Sequence, residues 1–375
     1  MITTHILLVS AQAAPNLLPA LDPAMKPAEA ILLVSAKMQA RADALEKVLV
    51  QTGVKTTRVN LANEHDFDAL ETTLGELADA RDGQSIALNV TGGTKLMALA
   101  AQSIAQAAGW SVFYVDADTD EVIWLGKHAS RHQLTEQLRL RHYLMGYGFE
   151  LRNGIERPQP SARHTELLDT LLSQIGSLEQ PLGQLNWLAQ SAENTGKLSV
   201  TLTTQQQDSR SLEALFRNFE HAGVLRVQGE QLIFPDAEQL AFAKGGWLEH
   251  HVFRTVSRLT GELGIRDKAA NLKVTDANGV ENELDIAFMA RNRLFVIECK
   301  TARMDKPEAP KANDTLFKLA EICRRVGGLG TRGMLASYRP LRDAEKRLAQ
   351  ALNIELVCGV EFARLDEKLK AWVKR

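Results

Sequence analysis

The chain has 375 residues, of which 45% are hydrophobic and 24% are charged, which is typical of a soluble protein with two or three domains. Its formal net charge is only −2, so the overall charge does not by itself indicate a nucleic-acid partner. The sequence has no uncharged apolar run of about 18 residues and no basic region of a signal peptide. These features exclude membrane and secreted classes, and we expect a cytoplasmic protein.

The first 150 residues alternate strand and helix patterns. Short apolar runs predict buried strands at 5–10, 30–35, 55–60, 85–90 and 111–115. Amphipathic stretches between them predict helices at 38–52, 66–80 and 95–108. This order predicts a largely parallel, Rossmann-like sheet with helices on both faces. Such sheets bind ligands at the carboxyl ends of their strands.

Two loops at those strand ends carry groups suited to a nucleotide. The TGGTK segment at 91–95 ends a strand and opens a helix, so its glycines allow close backbone approach and its amides can bind phosphate. It lacks the spacing of a Walker loop or a dinucleotide fingerprint, and a threonine-capped glycine turn is the alternative interpretation. The segment at 10–19 has amide side chains that suit adenine or ribose, or else it is a plain polar loop. The candidate ligand contacts are Gln12, Asn16, Thr91, Gly92, Gly93, Thr94 and Lys95.

A smaller module is predicted for residues 151–240. It begins with a linker-like stretch at 154–162 that is rich in proline and charge. The predicted elements are helices at 165–174 and 211–222, a loop at 205–209, and a hairpin of 225–227 with 232–234. Helices followed by a two-stranded wing suggest a winged helix. Because a basic recognition helix is missing, we favour a spacer or dimerisation role over DNA binding.

The segment from 241 to 375 contains two apolar strands with acidic side chains at an informative spacing. Strands at 283–288 and 294–300, joined by a polar turn, predict a hairpin. Side chains alternate along a strand, so Glu298 and Lys300 share one face. Asp285 and Glu298 offer the oxygen ligands that Mg²⁺ or Mn²⁺ prefers. Lys300 can orient or help deprotonate the attacking water and offset charge on a scissile phosphate, so the pattern indicates phosphodiester hydrolysis.

The alternative interpretation of these charges is a solvent-facing salt bridge. The run at 295–297 is apolar without alternation, as in a strand covered on both faces, so an unpaired charge at its end would be costly. Glu249 opens a helical pattern upstream and can reach the same metal. It can equally be a first-turn acid that stabilises the helix dipole.

The distribution of charge and cysteine adds two expectations. Residues 291–375 contain 19 Lys and Arg against 11 Asp and Glu, so this part carries +8 and the preceding part −10. A basic end that coincides with the acidic motif fits the binding of a polyanion. Cys299, Cys323 and Cys358 lie in apolar patterns without a CxxC pair. We therefore expect reduced core residues and neither a zinc site nor disulfides.

The acidic motif resembles the PD-(D/E)XK nuclease superfamily, in which a helix acid, a strand Asp and an acid-x-Lys form one site on a mixed sheet flanked by helices. The resemblance implies that Glu249 is the helix acid, Asp285 the strand acid, and Glu298 with Lys300 the final pair. The proline that the family places before the Asp is absent, because Leu284 stands there. The resemblance thus implies a restriction-endonuclease-like α/β domain, with Asp285, Glu298 and Glu249 as metal ligands.

The whole chain resembles the CARF-domain effector nucleases of type III CRISPR defence. The segments that carry this resemblance stand in the family's order, at 15–19, 91–95, 245–249 and 297–301. It implies a CARF domain at 1–150, the middle segment at 151–240 and a nuclease domain at 241–375. It further implies a homodimer that binds a cyclic oligoadenylate, most often cyclic tetra-adenylate, through the candidate ligand contacts. The expected activity is endonucleolytic cleavage of DNA, RNA or both with Mn²⁺ or Mg²⁺.

Two other functions stay open at this point. One is a nucleotide-sensing transcription regulator, with a DNA-binding winged helix and a degenerate nuclease scaffold. The intact Asp285, Glu298 and Lys300 weigh against it, because a scaffold has no reason to keep charges at the end of a buried strand. The other is a ring nuclease that degrades its own signal in the first domain.

Overall fold

The computed structural model describes residues 2–126, 129–135, 138–153, 155, 161–302 and 311–375. Its N-terminal sheet contains β1 (Thr4–Leu8), β2 (Glu29–Ser35), β3 (Lys55–Leu61), β4 (Ile86–Asn89), β5 (Ser111–Asp116), β6 (Glu121–Leu125) and β7 (Arg131–Gln133). The accompanying helices are α1 (Ala14–Leu21), α2 (Gln39–Gln51), α3 (Phe67–Ala80), α4 (Lys95–Ala107) and α5 (Leu140–Gly146). All five predicted strands and all three predicted helices of this part are confirmed.

The order of the N-terminal sheet is β3-β2-β1-β4-β5-β6-β7. Strands β1 to β5 are parallel, and β6 and β7 continue the sheet in antiparallel pairing. Side chains of β1 alternate between the two faces of the sheet. Leu7 packs against α1 and α2 on one face, and Ile6 and Leu8 pack against α3 and α4 on the other. Because β1 lies between β2 and β4, the loops that follow β1 and β4 meet at the topological switch point, where a ligand crevice forms.

Helix α1 corrects the predicted polar loop at 10–19. Pro15 lies in the first turn of α1, where its missing N–H has no partner to lose. Leu17 and Leu18 are buried and hold the helix against the sheet. The loop between β1 and α1 is therefore short, and only residues 9–13 remain in it.

A two-residue strand, β8 (Glu150–Leu151), follows α5 in the chain and pairs with the edge of the C-terminal sheet. The middle unit follows and contains α6 (Ala162–Ser173), α7 (Glu179–Asn194), β9 (Ser199–Thr201), α8 (Thr204–Gln207), α9 (Arg210–His221), β10 (Arg226–Gln228) and β11 (Gln231–Ile233). Its sheet has the order β10-β11-β9. From α7 to β11 the chain forms a helix, a strand, two helices and a two-stranded wing. This is the order of a winged helix, as predicted.

Several details of the middle unit differ from the sequence prediction. Helix α7 and strand β9 were not predicted, and the predicted loop at 205–209 overlaps the short helix α8. Within the predicted linker at 154–162, residues 154 and 156–160 lie outside the described residues, and Ala162 already belongs to α6.

The C-terminal unit is a six-stranded mixed sheet between two helical layers. Its elements are α10 (Ala237–Ala241), α11 (Trp247–Arg258), β12 (Asp267–Thr275), β13 (Glu281–Ala290), β14 (Arg293–Lys300), α12 (Lys311–Gly327), β15 (Arg332–Ser337), α13 (Asp343–Ala351), β16 (Ile354–Cys358) and α14 (Leu365–Lys374). The strand order is β16-β15-β14-β13-β12-β8. Strands β14, β15 and β16 are parallel to one another, while β12, β13 and β14 form an antiparallel meander.

The predicted hairpin of β13 and β14 is confirmed. Its turn consists of Arg291 and Asn292, with positive φ angles of 50° and 52°, the geometry of a two-residue turn that matches the strand twist.

The three cysteines are buried, as expected for core residues, and Cys299 lies on β14. None of the helices that the structure describes combines the length and apolar character needed to span a bilayer.

Candidate functional site

The β13–β14 hairpin brings three predicted site residues together. Ile286 pairs with Ile297, so Asp285 and Glu298 occupy the next positions of the two strands. Lys300 Nζ lies 2.5 Å from Glu298 Oε1 and 3.9 Å from Asp285 Oδ2. The Cys299 backbone N–H donates to Asp285 Oδ2 at 2.7 Å, which fixes that carboxylate against β14. The cluster is partly buried, and all three side chains reach one face of the sheet.

Glu249 approaches this cluster from helix α11. The chain enters α11 through a wide turn at 242–246, in which Gly245 has φ 155°. A Cβ atom at Gly245 would lie 2.4 Å from Thr301 Oγ1, so this close approach requires glycine. The turn thereby places the first turn of α11 beside the end of β14. Burial raises the pKa of the Glu249 carboxyl, and the charges of Lys300, Glu283 and Glu298 also act on it.

The charges of the cluster are strongly interdependent. Burial, followed by the charge of Glu298, raises the pKa of the Asp285 carboxyl well above its ordinary value. Burial opposes the charge of Lys300, but Glu298 and Asp285 outweigh it and raise the pKa of its ammonium group. Negative charge is thus crowded around one lysine. A divalent cation would relieve this repulsion, so the donor set fits Mg²⁺ or Mn²⁺.

The candidate metal site is a pair of carboxylates with a third acid close by. Within the ranges that the structure describes, no three His, Cys, Asp or Glu side chains are close enough to form a complete ligand set. Asp285 and Glu298 are therefore the nucleus of the candidate site, and Glu249 is the nearest acid on a neighbouring helix.

Helix α7 of the middle unit lies against the end of the C-terminal sheet that carries the candidate site. Asn186 Nδ2 donates to Thr301 Oγ1 at 2.8 Å, directly after Lys300. Arg339, just beyond β15, donates to Glu179 Oε1 at 3.2 Å in the first turn of α7. Helix α7 was not predicted, because Pro181 and Gly183 obscure its helical pattern. The predicted spacer or dimerisation role did not include a contact between the middle unit and the candidate nuclease site, and the structure shows one.

The TGGTK loop has a tight backbone conformation that depends on its two glycines. A Cβ atom at Gly92 would lie 2.1 Å from the Leu8 carbonyl oxygen, and Gly93 has φ 73°. Both positions therefore require glycine. Thr94 Oγ1 accepts from the Met97 N–H at 3.1 Å and caps α4. Lys95 is exposed in the first helical residue, so its ammonium group and the helix N-terminus can face an anion together.

The structure assigns Asn16 and Thr91 to a supporting network. Asn16 is 1% exposed. Its Nδ2 donates to the Leu8 carbonyl at 3.1 Å, and its Oδ1 accepts from Asn89 Nδ2 at 2.9 Å. Asn89 Oδ1 accepts from Thr91 Oγ1 at 2.6 Å, and Thr91 Oγ1 accepts from the Val115 N–H at 2.7 Å. This corrects the expectation that the Asn16 amide reads the ligand, because its side chain is buried and used by protein partners.

Gln12 also differs from expectation. Its Oε1 accepts from the Leu329 N–H at 3.2 Å and from Tyr147 Oη at 3.3 Å. The predicted ligand-reading oxygen therefore contacts the C-terminal unit. Sequence reasoning cannot find such a contact, since Gln12 and Leu329 are 317 positions apart.

Replacing Asn89 by alanine should destabilise the protein. The substitution leaves Asn16 Oδ1 and the Thr91 N–H without their partner in a buried site, and we expect a loss of about 2–3 kcal/mol in the free energy of unfolding. Urea denaturation followed by circular dichroism measures it. Asn60→Ala is the matched control, because Asn60 is exposed and makes one side-chain contact, to Gln39. Equal losses for the two variants would contradict a supporting role for the network.

Comparisons with known proteins agree with the geometry. A family model described as the Card1 CARF domain matches residues 4–143. A second model, described as the Card1-like endonuclease domain, matches residues 236–375. No curated protein sequence matches the chain.

Solved structures extend the similarity over nearly the whole chain. Protein VC1899 from Vibrio cholerae is 27% identical, with a TM-score of 0.90, over 99% of this chain and 98% of its own. Can2 from Sulfobacillus thermosulfidooxidans, in complex with cyclic tetra-adenylate, is 25% identical with a TM-score of 0.85, over 99% of each chain. A type III CRISPR defence DNA nuclease activated by cyclic oligoadenylate shares the fold at 19% identity and a TM-score of 0.61, over 100% of this chain and 52% of its own.

The endonuclease match covers Glu249, Asp285, Glu298 and Lys300, and the CARF match covers the TGGTK loop. The nuclease interpretation of the acidic hairpin is therefore favoured over the transcription regulator with a degenerate scaffold. The chain belongs to the CARF-domain effector nucleases, with a Card1-type CARF domain followed by a Card1-like endonuclease domain.

Proposed function

We propose that this protein is a metal-dependent endonuclease of antiviral type III CRISPR defence, activated by a cyclic oligoadenylate bound to its CARF domains. The observation that carries the proposal is the convergence of Asp285, Glu298 and Lys300 at the end of a buried hairpin. Two carboxylates share one lysine there, and partly buried negative charge in excess is unfavourable unless a cation or a substrate uses it. The substrate is DNA, RNA or both, and the protein acts in the cytoplasm.

Each residue of the cluster has a chemical role in this proposal. Asp285 and Glu298, with Glu249 as the third acid, would hold Mg²⁺ or Mn²⁺. The bound ion supplies Lewis-acid stabilisation of the phosphoryl oxygens and a water molecule of lowered pKa. Burial opposes the charge of Lys300, but Glu298 and Asp285 outweigh it and raise the pKa of its ammonium group, which favours the protonated form at Nζ. Lys300 can therefore donate hydrogen bonds to a phosphate oxygen or to the attacking water and offset negative charge.

We place the activator at the switch point of the CARF sheet, on the loops after β1 and β4. The TGGTK loop offers exposed Lys95, the N-terminus of α4 and two obligatory glycines, which suit a phosphate-bearing ring. The presence of cyclic tetra-adenylate in the Can2 complex supports that ring as the first choice. A two-fold symmetric ring is matched by two CARF domains, so the active form in this proposal is a homodimer. Cleavage of labelled DNA and RNA with either metal, with and without cyclic tetra-adenylate, tests the proposal.

Replacing Lys95 by alanine should weaken activator binding about 10- to 100-fold. A charge-assisted hydrogen bond to phosphate contributes about 1.5–3 kcal/mol, and each 1.4 kcal/mol is a factor of ten in affinity. Titration calorimetry with cyclic tetra-adenylate measures the change. Lys55→Ala is the matched control, because Lys55 is an exposed lysine at the opposite end of the same sheet. Unchanged affinity of the Lys95→Ala protein would move the activator to another pocket.

A further inference from the structure

One side chain links the candidate activator loops to the nuclease sheet. Gln12 lies in the loop after β1, where its backbone N–H donates to Ser10 Oγ at 3.2 Å. Ser10 Oγ lies 3.4 Å from the position of a Cβ atom at Gly92, so this loop touches the TGGTK loop. From the same residue, Gln12 Oε1 accepts from the Leu329 N–H in the C-terminal unit. A single residue therefore contacts both functional units of the chain.

The turn that Gln12 contacts is closely packed at two glycines, while Leu329 is exposed to solvent. Residues 327–330 connect α12 to β15, and Tyr143 Oη donates to the Gly327 carbonyl at 3.0 Å. A Cβ atom at Gly327 would lie 1.9 Å from Thr331 Oγ1 and 2.6 Å from the Tyr143 ring. A Cβ atom at Gly328, which has φ +60°, would lie 2.3 Å from Gln12 Oε1. Because Gly327 and Gly328 have neighbouring atoms where a side chain would stand, a shift of Gln12 toward Gly328 must either break its hydrogen bond or move the turn.

Strand β15 connects this turn to the catalytic cluster. It pairs in parallel with β14, with Leu335 opposite Glu298 and Ser337 opposite Lys300. Beyond the strand, the Tyr338 N–H donates to the Lys300 carbonyl at 2.8 Å. The backbone that carries Glu298 and Lys300 is thus held by the strand that begins just after the Gln12 contact.

We propose that Gln12 is a positioning residue that couples the CARF loops to the catalytic strands through the 327–330 turn. This inference rests on the proposed function, because it assigns the route by which the activator changes cleavage. The activator shifts the loop after β1, Gln12 transmits the shift to the Leu329 amide, and β15 passes it to β14. Coupling of this kind is a difference in free energy between two arrangements of the protein, and it can be lost without loss of ligand binding.

The test compares Gln12→Met with Gln12→Glu. Methionine keeps the length of the side chain but removes the acceptor, whereas glutamate keeps an acceptor for Leu329 and Tyr147. The measured quantity is the ratio of cleavage rates with saturating and without cyclic tetra-adenylate. We expect Gln12→Met to lower this ratio about 2- to 10-fold, the factor for one net hydrogen bond, with activator affinity within about twofold of the wild type. Gln12→Glu should restore the ratio at saturating activator.

Hydrogen exchange provides a readout that does not depend on catalysis. In the ligand-free protein, the Leu329 amide should exchange faster in Gln12→Met than in the wild type and at the wild-type rate in Gln12→Glu. Cyclic tetra-adenylate should change exchange at 327–331 in the wild type and not in Gln12→Met. Unchanged exchange in Gln12→Met, or a lower activator affinity with an unchanged ratio of rates, would overturn the coupling role. Absence of any cleavage by the wild type would refute the proposed function, while the exchange data would still decide whether Gln12 holds the turn.

Discussion

Replacing Glu298 by glutamine should lower phosphodiester cleavage about 10²- to 10³-fold and leave activator affinity unchanged. A catalytic metal ion contributes several kcal/mol of transition-state stabilisation, and each 1.36 kcal/mol is a factor of ten in rate. Glutamine has nearly the same shape as glutamate but lacks the charge that holds the ion and pairs with Lys300 at 2.5 Å. Single-turnover cleavage with saturating metal and activator measures the loss.

The matched control for this prediction is Glu281→Gln. Glu281 lies on β13, the same strand as Asp285, and its side chain is exposed, so removing its charge should leave cleavage near the wild-type rate. Far-ultraviolet circular dichroism should be unchanged for both variants, because Glu298 lies at the border of the apolar core. Wild-type cleavage by the Glu298→Gln protein would remove this residue from the catalytic site.

Replacing Asp285 by asparagine should lower cleavage about 10²- to 10³-fold, as for Glu298→Gln, but stabilise the metal-free protein. The folded-state pKa of Asp285 lies well above the unfolded-state value, because burial and Glu298 disfavour its charge. Between these two pKa values the folded protein binds more protons than the unfolded one, so the free energy of unfolding falls as pH rises through this window. Asparagine is neutral at every pH and retains an oxygen that accepts from the Cys299 N–H.

Urea denaturation in the presence of a chelator tests this prediction. The difference in unfolding free energy between Asp285→Asn and the wild type should increase from about pH 4 to about pH 9. Added Mn²⁺ should stabilise the wild type and have little effect on Asp285→Asn, because a ligand that binds only the folded state stabilises it by mass action. A destabilised Asp285→Asn protein at alkaline pH would mean that Asp285 is satisfied by its protein partners alone.

The local patterns that revealed the nuclease hairpin and the TGGTK loop have clear physical reasons. The apolar run at 295–297 predicts a strand covered on both faces, and the acid-x-lysine that follows predicts a polar end of that strand. Both predictions depend only on local sequence. Likewise, position 92 must be glycine because the Leu8 carbonyl oxygen lies where a Cβ atom would stand. A glycine-rich segment between a strand and a helix predicts such a close backbone approach. The fold class and the grouping of Asp285 with Glu298 and Lys300 were therefore accessible from sequence.

Other features depend on distant partners and could not be predicted locally. The segment 10–19 was predicted as a polar loop, yet Leu17 and Leu18 pack against the sheet and residues from Ala14 onward are helical. The burial of Asn16 results from Asn89, which is 73 positions away. The contact of α7 with Thr301 joins residues that are 115 positions apart. In each case the tertiary contact decides which side chains are free to meet a ligand.

A three-protein activator titration tests the central claim of a ligand-gated metal nuclease most directly. Supercoiled plasmid and labelled RNA are incubated with Mn²⁺ or Mg²⁺ and increasing cyclic tetra-adenylate, using the wild type, Lys95→Ala and Glu298→Gln. The wild type should cleave at least one substrate only with activator, and Lys95→Ala should reach the same plateau at about 10- to 100-fold higher activator concentration. Glu298→Gln should bind activator with wild-type affinity and not cleave. The claim would be contradicted if cyclic tetra-adenylate bound the wild type but did not change its rate of cleavage.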